Sequence, residues 1–419
     1  MNSEQFNKKY SLSPKLTKFL KRKNNNGDFK TAIAGEPKKM WKEATKRFFK
    51  NPVSSISVIL FFTIILMGII VPLLSPYLAK KVIYDGNIAN IKDLPPFYVK
   101  TKVLTLTPAE LADNEYYKNI NTWISDPIYG DYFKSLLNYE EKMLNANTYR
   151  ISYDYVNYFK ISKVWQQIIE AKEQGQNLSL DQVTQIFNGI VFKRPILGTD
   201  ENGHDIWTTS WYSTWNSIKI ALIVATFETI IGVAVGAFLG FHAGKWIDTV
   251  VMRIIEIFLS PPSIVWLLLF VTILGTSDLT LIISLIFVGW AGPVSRTRMF
   301  IITVKDEEYI IASKSVGARK GRLIFLHALP AILGKIATSY VRSIPTIIMS
   351  VASLSFLGFF KSDSANLGQV LIDANSSAEN NIWTLALPCF ILLSISLSLH
   401  FISLGVHDSL DPRVMTNKK

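Results

Sequence analysis

A chain of 419 residues that is 49% hydrophobic and only 18% charged is too apolar for an ordinary soluble domain, in which charged side chains average about 25%. The formal net charge of +12 accompanies apolar runs long enough to cross a bilayer, so the basic excess points to a membrane surface and away from nucleic acid. A single cysteine, Cys389, excludes an intramolecular disulfide, and any extracytoplasmic portion must fold without one.

Residues 1–52 hold 14 Lys/Arg against 4 Asp/Glu, which predicts a solvated, basic cytoplasmic arm that touches anionic membrane lipid. The first apolar run starts only after this arm and is too long for a signal-peptide core, so 53–74 is expected to stay as a first span, charge-free from Ile56 to Leu74. Residues 75–214 are then extracytoplasmic. Twelve of the 16 tyrosines fall between Tyr77 and Tyr158. The stretch "NYEEKMLNANTYRISYDYVNYFKISKVWQQIIEAKEQG" has a mixed aromatic and helical pattern, and "SLDQVTQIFNGI" reads as a short capped helix. The region is either a small folded subdomain with a tyrosine-rich core and rim, or a surface for an extracellular partner as well.

A five-span core is expected over 215–404. Its apolar segments are 221–241 with Glu228, 254–274 with Pro261-Pro262 inside, 279–294 extending toward Ile302, 336–357 with Arg342 and Pro345, and 383–404 with Pro388 and His400. The short connections predict one compact bundle, an all-α integral membrane protein of six transmembrane helices, in which neighbouring helices satisfy backbone groups freed by proline. The segment 295–330 carries Arg296, Arg298, Lys305, Lys314, Arg319, Lys320 and Arg322 and belongs on the cytoplasmic side, as does the tail 405–419. Both termini are thus expected in the cytoplasm of a multi-pass plasma-membrane protein.

Catalytic chemistry is missing from the sequence. "GARKGRL" and "ILGKIAT" lack the spacing of a phosphate-cradling loop, the five histidines have no metal-ligand spacing, and no G-x-S-x-G elbow occurs. No catalytic, cofactor-binding or metal-binding residue is expected. The ionisable residues within spans, Glu228 and Arg342, are candidates for an intramembrane charge pair or for lining a pathway.

Residues 306–330, "DEEYIIASKSVGARKGRLIFLHALP", read as a helix–Gly–helix elbow. Asp306, Glu307 and Glu308 suit a helix start, Tyr309, Ala312 and Val316 share one face, and Gly317 stops the helix where a left-handed residue is cheap. A second piece starts at Arg319, lays Leu323, Ile324, Leu326 and Leu329 on the bundle, and ends at Pro330. Small Ala312, Ser313 and Ala318 around the bend leave room for another backbone, so the elbow reads as a docking knob.

The order Ala312-Ser313, three residues, Gly317, nine residues, His327-Ala328-Leu329-Pro330 resembles the E-A-A-x3-G-x9-I-x-L-P loop of ABC importer permeases. "LGTDENGHDIW" (198–207), "LSFLGFF" (354–360) and "DSLDPR" (408–413) resemble further motifs of the C-type permease subunits of oligopeptide/dipeptide/nickel importers. This resemblance covers about 195–413. It implies a type I importer permease paired with a second homologous permease, two ABC ATPase subunits beneath and a solute-binding protein above, importing peptide or nickel, and the scarcity of metal-ligand side chains in the spans favours peptide. ATP and Mg would be bound by the ATPase subunits, and none by this chain. Glu308, Tyr309, Ala312, Ser313, Val316, Gly317, Ala318, Leu329 and Pro330 would form the ATPase dock. The chain departs from the family at Ile311, where the triplet has glutamate, at His204, where the family has arginine, and in the length of 80–190. A secondary transporter would instead show inverted repeats and coupling-ion groups, and a scaffold or receptor would act through 75–214 alone.

Overall fold

The computed structural model describes residues 40–84, 91–145, 147–275, 277–358 and 365–410. The basic arm up to residue 39, Phe359 and Phe360 of the "LSFLGFF" motif, and the tail with Arg413 lie outside the described residues. The chain divides into two compact units, 1–47 and 48–419. In the first, the described residues enter the helix α1 (Met40–Lys50), where Glu43 and Arg47 pair one turn apart at 3.6 Å.

The second unit opens with the first membrane helix, α2 (Pro52–Leu74). The Asn51 side chain accepts from the Val53 amide at 3.1 Å, and Pro52 occupies a first-turn position that needs no donor.

The segment that follows is a small α/β subdomain. It contains β1 (Thr101–Leu106), α3 (Pro108–Asp113), α4 (Glu115–Ile124), α5 (Gly130–Leu137), β2 (Glu140–Asn145), β3 (Thr148–Asp154), α6 (Tyr155–Glu173) and α7 (Leu180–Gly189). The strands form one antiparallel sheet in the order β1-β3-β2, with Thr101 opposite Asp154 and Glu140 opposite Ser152. The mixed stretch at 138–175 thus splits into a hairpin and then a helix. Helix α7 is closed by a reciprocal capping box between Ser179 and Gln182. Tyr129, Tyr153, Tyr155, Tyr158 and Phe133 are among its most deeply buried side chains, so the tyrosines are core as well as rim.

Lys102 is buried in this subdomain, its ammonium donating to Lys92 O at 2.9 Å and Tyr116 Oη at 3.1 Å and lying 4.3 Å from the Tyr116 ring centre. Burial pushes it down from 10.5 to about 7, against the pull of Asp93 and with the push of Lys92. Between those two values the unfolded chain holds a proton the folded one has lost. The subdomain therefore gains stability as pH rises through the window and carries the full burial cost below pH 7. Thermal unfolding of the solubilised protein is expected to show this as a higher insertion transition at pH 9 than at pH 7. The gain is roughly 2–4 kcal/mol, and Lys102→Met should flatten it. Equal pH dependence in both proteins would refute the assignment.

The "LGTDENGH" segment clasps the subdomain to the membrane helices. Thr199 Oγ1 accepts from Leu94 N at 2.9 Å and donates to Ile91 O at 2.5 Å, while Asp93 N donates to Asp200 O at 3.0 Å. Asn381 Nδ2 donates to Leu197 O at 2.7 Å and Leu94 O at 3.3 Å. His204 sits 3.0 Å from Asp200, where it closes the turn. The clasp continues in a buried ion pair, Lys80 with Asp373.

The remaining helices are α8 (Ile206–Phe241), α9 (Trp246–Leu259), α10 (Ser263–Leu274), α11 (Asp278–Gly289), α12 (Ala291–Val304), α13 (Glu308–Ser315), α14 (Leu329–Phe356), α15 (Leu367–Ser377) and α16 (Trp383–Leu410). Among the described residues, five helical stretches are long and apolar enough to cross a membrane, and six if the bent pair α9–α10 counts as one span. That pair covers the expected third span, 254–274, and is bent at the prolines inside it. Pro261-Pro262 removes two backbone donors in succession, and the helix restarts after Pro262 at an angle of 77°. The second span is longer than its apolar run because Asp205 caps it at Thr208 N, 2.8 Å, adding about four turns before residue 221. The fourth extends through α11 and α12 to Val304, as the run toward Ile302 suggests.

Candidate functional site

Two places carry the sequence-derived candidates: the elbow at 306–330 and a cavity among the membrane helices.

Helix α13 starts after Glu307 with Glu308 in its first turn and ends at a left-handed Gly317, φ +90°. Ala318 N donates to Ser313 O at 3.1 Å and Gly317 N to Lys314 O at 3.0 Å, the paired bonds that close a helix through a C-terminal glycine. Ile310 is 2% exposed and packs with Ala237, Ile301, Leu323, Ile324 and Ala328, which fixes the elbow to the bundle. The opposite face is bare. Tyr309 is 45% exposed, Ile311 50% and Val316 89%, with Glu308 and Ala312 exposed beside them and Ser313 and Ala318 half-buried at the bend.

The second half of the elbow differs from expectation. Pro330 does not end a helix: a turn at Lys320–Arg322 and a π-helical segment, Leu323–Ala328, run directly into α14. Leu329 N donates to Ile324 O, and this widened turn absorbs the donor that proline lacks. The elbow is therefore continuous with the fifth membrane helix. Leu323 and Ile324 are buried, Leu329 is half-buried, and Leu326 and Pro330 face outward, because the wider turn rotates the face.

Next to the elbow, Arg298 of α12 grips Asp248 of α9 with two bonds, Nε to Oδ1 at 2.5 Å and a terminal nitrogen to Oδ2 at 2.7 Å; Asp248 also accepts from Gly244 N at 3.0 Å. In the sequence Arg298 is visible only as a cytoplasmic charge. Fifty residues separate the partners, and no local pattern joins them.

The cavity has a volume of about 520 Å³ and is lined by α8, α9, α10, α11, α12 and α14. Glu228 and Arg342 both reach it, but they form no ion pair. Glu228 lies against Gly289, where any Cβ would collide with its carboxylate, and its cationic neighbour is Arg296. Arg342 donates from Nε to Ser403 Oγ at 3.0 Å. The expected pair fails because α12 packs along α8 across from Glu228, while Arg342 leans toward α16. Gly289 and Ser403 carry no signal in the sequence, and Arg296, expected as a cytoplasmic charge, lines the cavity instead. A usable signal was the run Ser339, Ser343, Thr346 and Ser350, which lines the cavity at helical spacing.

Comparison with known proteins matches residues 39–96 to the N-terminal TM domain of oligopeptide transport permease C, and residues 232–416 to the binding-protein-dependent transport system inner membrane component. The oligopeptide transport system permease protein OppC of Mycoplasma pneumoniae is 31% identical over 397 residues, 91% of this chain and 93% of that protein. The dipeptide transport system permease protein DppC of Bacillus subtilis is 31% identical over 52% of this chain and 68% of its own length. OppC of Mycoplasma genitalium is 33% identical over 53% of this chain and 60% of its own. A match over 91% of the chain must run into the inserted subdomain, which shorter matches can leave out. With both family matches in order along the chain and a relative aligned almost end to end, this multi-pass membrane protein belongs to the OppC/DppC-like permeases of ABC transport systems.

Proposed function

We propose that the chain is a pathway-forming permease of an ATP-driven peptide importer, with a second homologous permease beside it, two ABC ATPases on the cytoplasmic side and a solute-binding protein outside. As a family member it is a transport component, and ATP hydrolysis belongs to separate subunits. Its relatives are oligopeptide and dipeptide transport permeases, which favours peptide as cargo over nickel.

One observation carries the coupling role: an apolar knob, Val316 at 89% exposure, stands at the end of a helix that Ile310 locks to the bundle, and across the bend at Gly317 the second half of the elbow runs on through residues 320–356 into a membrane span. An exposed apolar tip on a stiff lever is suited to fill an ATPase groove and pass its movement to the membrane helices. The Lys/Arg bias supports the same orientation, with the elbow and both termini cytoplasmic. The inserted subdomain, clasped to the membrane helices, serves in this reading as the receiving surface for the binding protein.

Site-directed cross-linking tests the dock. With the exposed Cys389 first changed to serine, Val316→Cys is expected to link to an ATPase subunit in the assembled transporter, and the yield should change on adding ATP. A Leu326→Cys control, on the outward face of the π turn, should link far less. If the two positions link equally and ATP alters neither, the knob is no dock.

A further inference from the structure

The charges around the membrane cavity do not balance. Two guanidinium groups, from Arg296 and Arg342, and one carboxylate, from Glu228, line it. Arg296 is the cationic neighbour of Glu228, and the two groups carry opposite formal charges. Arg342 is left over. Its Nε is held by Ser403 Oγ, whose own proton is given to Thr338 O at 3.4 Å, so a neutral hydroxyl aims the group without compensating it. Among the described residues no hydrogen bond or ion pair engages its two terminal nitrogens, and the side chain is exposed. An oriented guanidinium fork with free parallel donors matches the geometry of a carboxylate.

The wall beyond Arg342 has a complementary polarity. Ser343, Thr346 and Ser350 line the same cavity along α14, and each donates its proton to its own helix: to Tyr340 O at 2.8 Å, Arg342 O at 3.3 Å and Thr346 O at 3.1 Å. Hydroxyls committed in that way offer only lone pairs to the cavity, which suits the N–H groups of a bound chain. From Arg342 to Ser350 the helix rises about 12 Å. An extended peptide covers that distance in about four residues.

We propose that Arg342 is the carboxylate-binding residue of this cavity, taking the C-terminal carboxylate of a short peptide whose backbone N–H groups lie along Ser343, Thr346 and Ser350. Every unmodified linear peptide carries that carboxylate and those amides, so the site reads the backbone and tolerates varied side chains. The assignment rests on the permease reading above, with Glu228 and Arg296, of opposite formal charge, as the opposing wall.

The test compares uptake of tetra-alanine and tetra-alanine amide by the complete transporter in proteoliposomes, with wild type, Arg342→Gln and Arg342→Lys. The binding protein's own preference is common to all three and cancels when acid-to-amide ratios are compared. The wild-type ratio is expected to fall about ten- to a hundredfold in R342Q, chiefly through half-saturation for the acid. It should fall less in R342K, which keeps the charge and loses the fork. An unchanged ratio in an R342Q transporter that still moves both peptides overturns the assignment while leaving the permease reading intact. An equal loss for acid and amide also overturns it and makes Arg342 a contact holding the assembly. Failure of the wild type to move either peptide would count against the permease reading itself.

Discussion

Changing Gly317 to valine is expected to cut ATP-dependent uptake by about tenfold or more while leaving the chain in the membrane. A Cβ added at Gly317 meets no atom within 4 Å, so any loss cannot come from a clash inside the chain. It comes from the backbone. At φ +90° an L side chain crowds its own carbonyl, a strain of about 1–2 kcal/mol, larger for a β-branched residue, and equivalent to about a five- to thirtyfold drop in the bent elbow. Asparagine tolerates this region better than alanine, and alanine better than valine, so coupling should fall in the order Gly, Asn, Ala, Val, which is not the order of side-chain volume. Gly321 is the matched control: it also has open space around a Cβ but lies in the helical turn Lys320–Arg322, outside the positive-φ set. Measured as uptake per ATP hydrolysed, Gly321→Val should stay close to wild type. Loss at both positions alike would mean that bulk at a docking surface matters and elbow geometry does not.

How far the sequence reveals this molecule depends on whether a feature has a local cause. The first span is visible as an uninterrupted apolar run, helix α7 as a capping box, and the bend at Gly317 as a glycine after a helical face, because each is decided within a few residues. Three features fail that condition. Pro261-Pro262 and Pro330 look alike as breakers, yet one bends its helix by 77° and the other sits in a continuous one, because a π turn upstream of Pro330 rearranges the bonds. Strand β2 is exposed on both faces and so lacks the period-2 alternation that marks a strand, whereas Ile151 and Tyr153 on β3 do alternate. The cavity is the third. Glu228 and Arg342 are recognisable as unusual charges in apolar spans, but their true neighbours, Arg296 and Ser403, are set by which helices pack together.

That packing can be tested at Gly236. Glycines 232, 236 and 240 recur every fourth residue on α8, a small-residue stripe that lets a second helix approach closely. They face α12: a Cβ at Gly236 would lie 2.5 Å from Val294 O and 2.8 Å from Thr297 Cβ, and one at Gly240 would lie 2.6 Å from Ile301 Cβ. A backbone oxygen in a helix cannot step aside without moving the helix. Gly236→Ala is therefore expected to destabilise the solubilised protein by about 1–3 kcal/mol, and Gly236→Val by more, read as a lower thermal midpoint and a loss of monodisperse protein. Gly321→Ala, with nothing near its Cβ, should leave the midpoint almost unchanged. The consequence reaches both candidate sites. Helix α8 carries Glu228, α12 carries Arg296 between the contact residues Val294 and Thr297, and two residues further on Arg298 holds Asp248 beside the elbow. Separating the two helices should thus impair acid-over-amide selection and elbow coupling together, even in the fraction that remains folded. If Gly236→Val lowers stability while selection and coupling stay at wild-type values, α8 and α12 hold the bundle together without setting the geometry of either site.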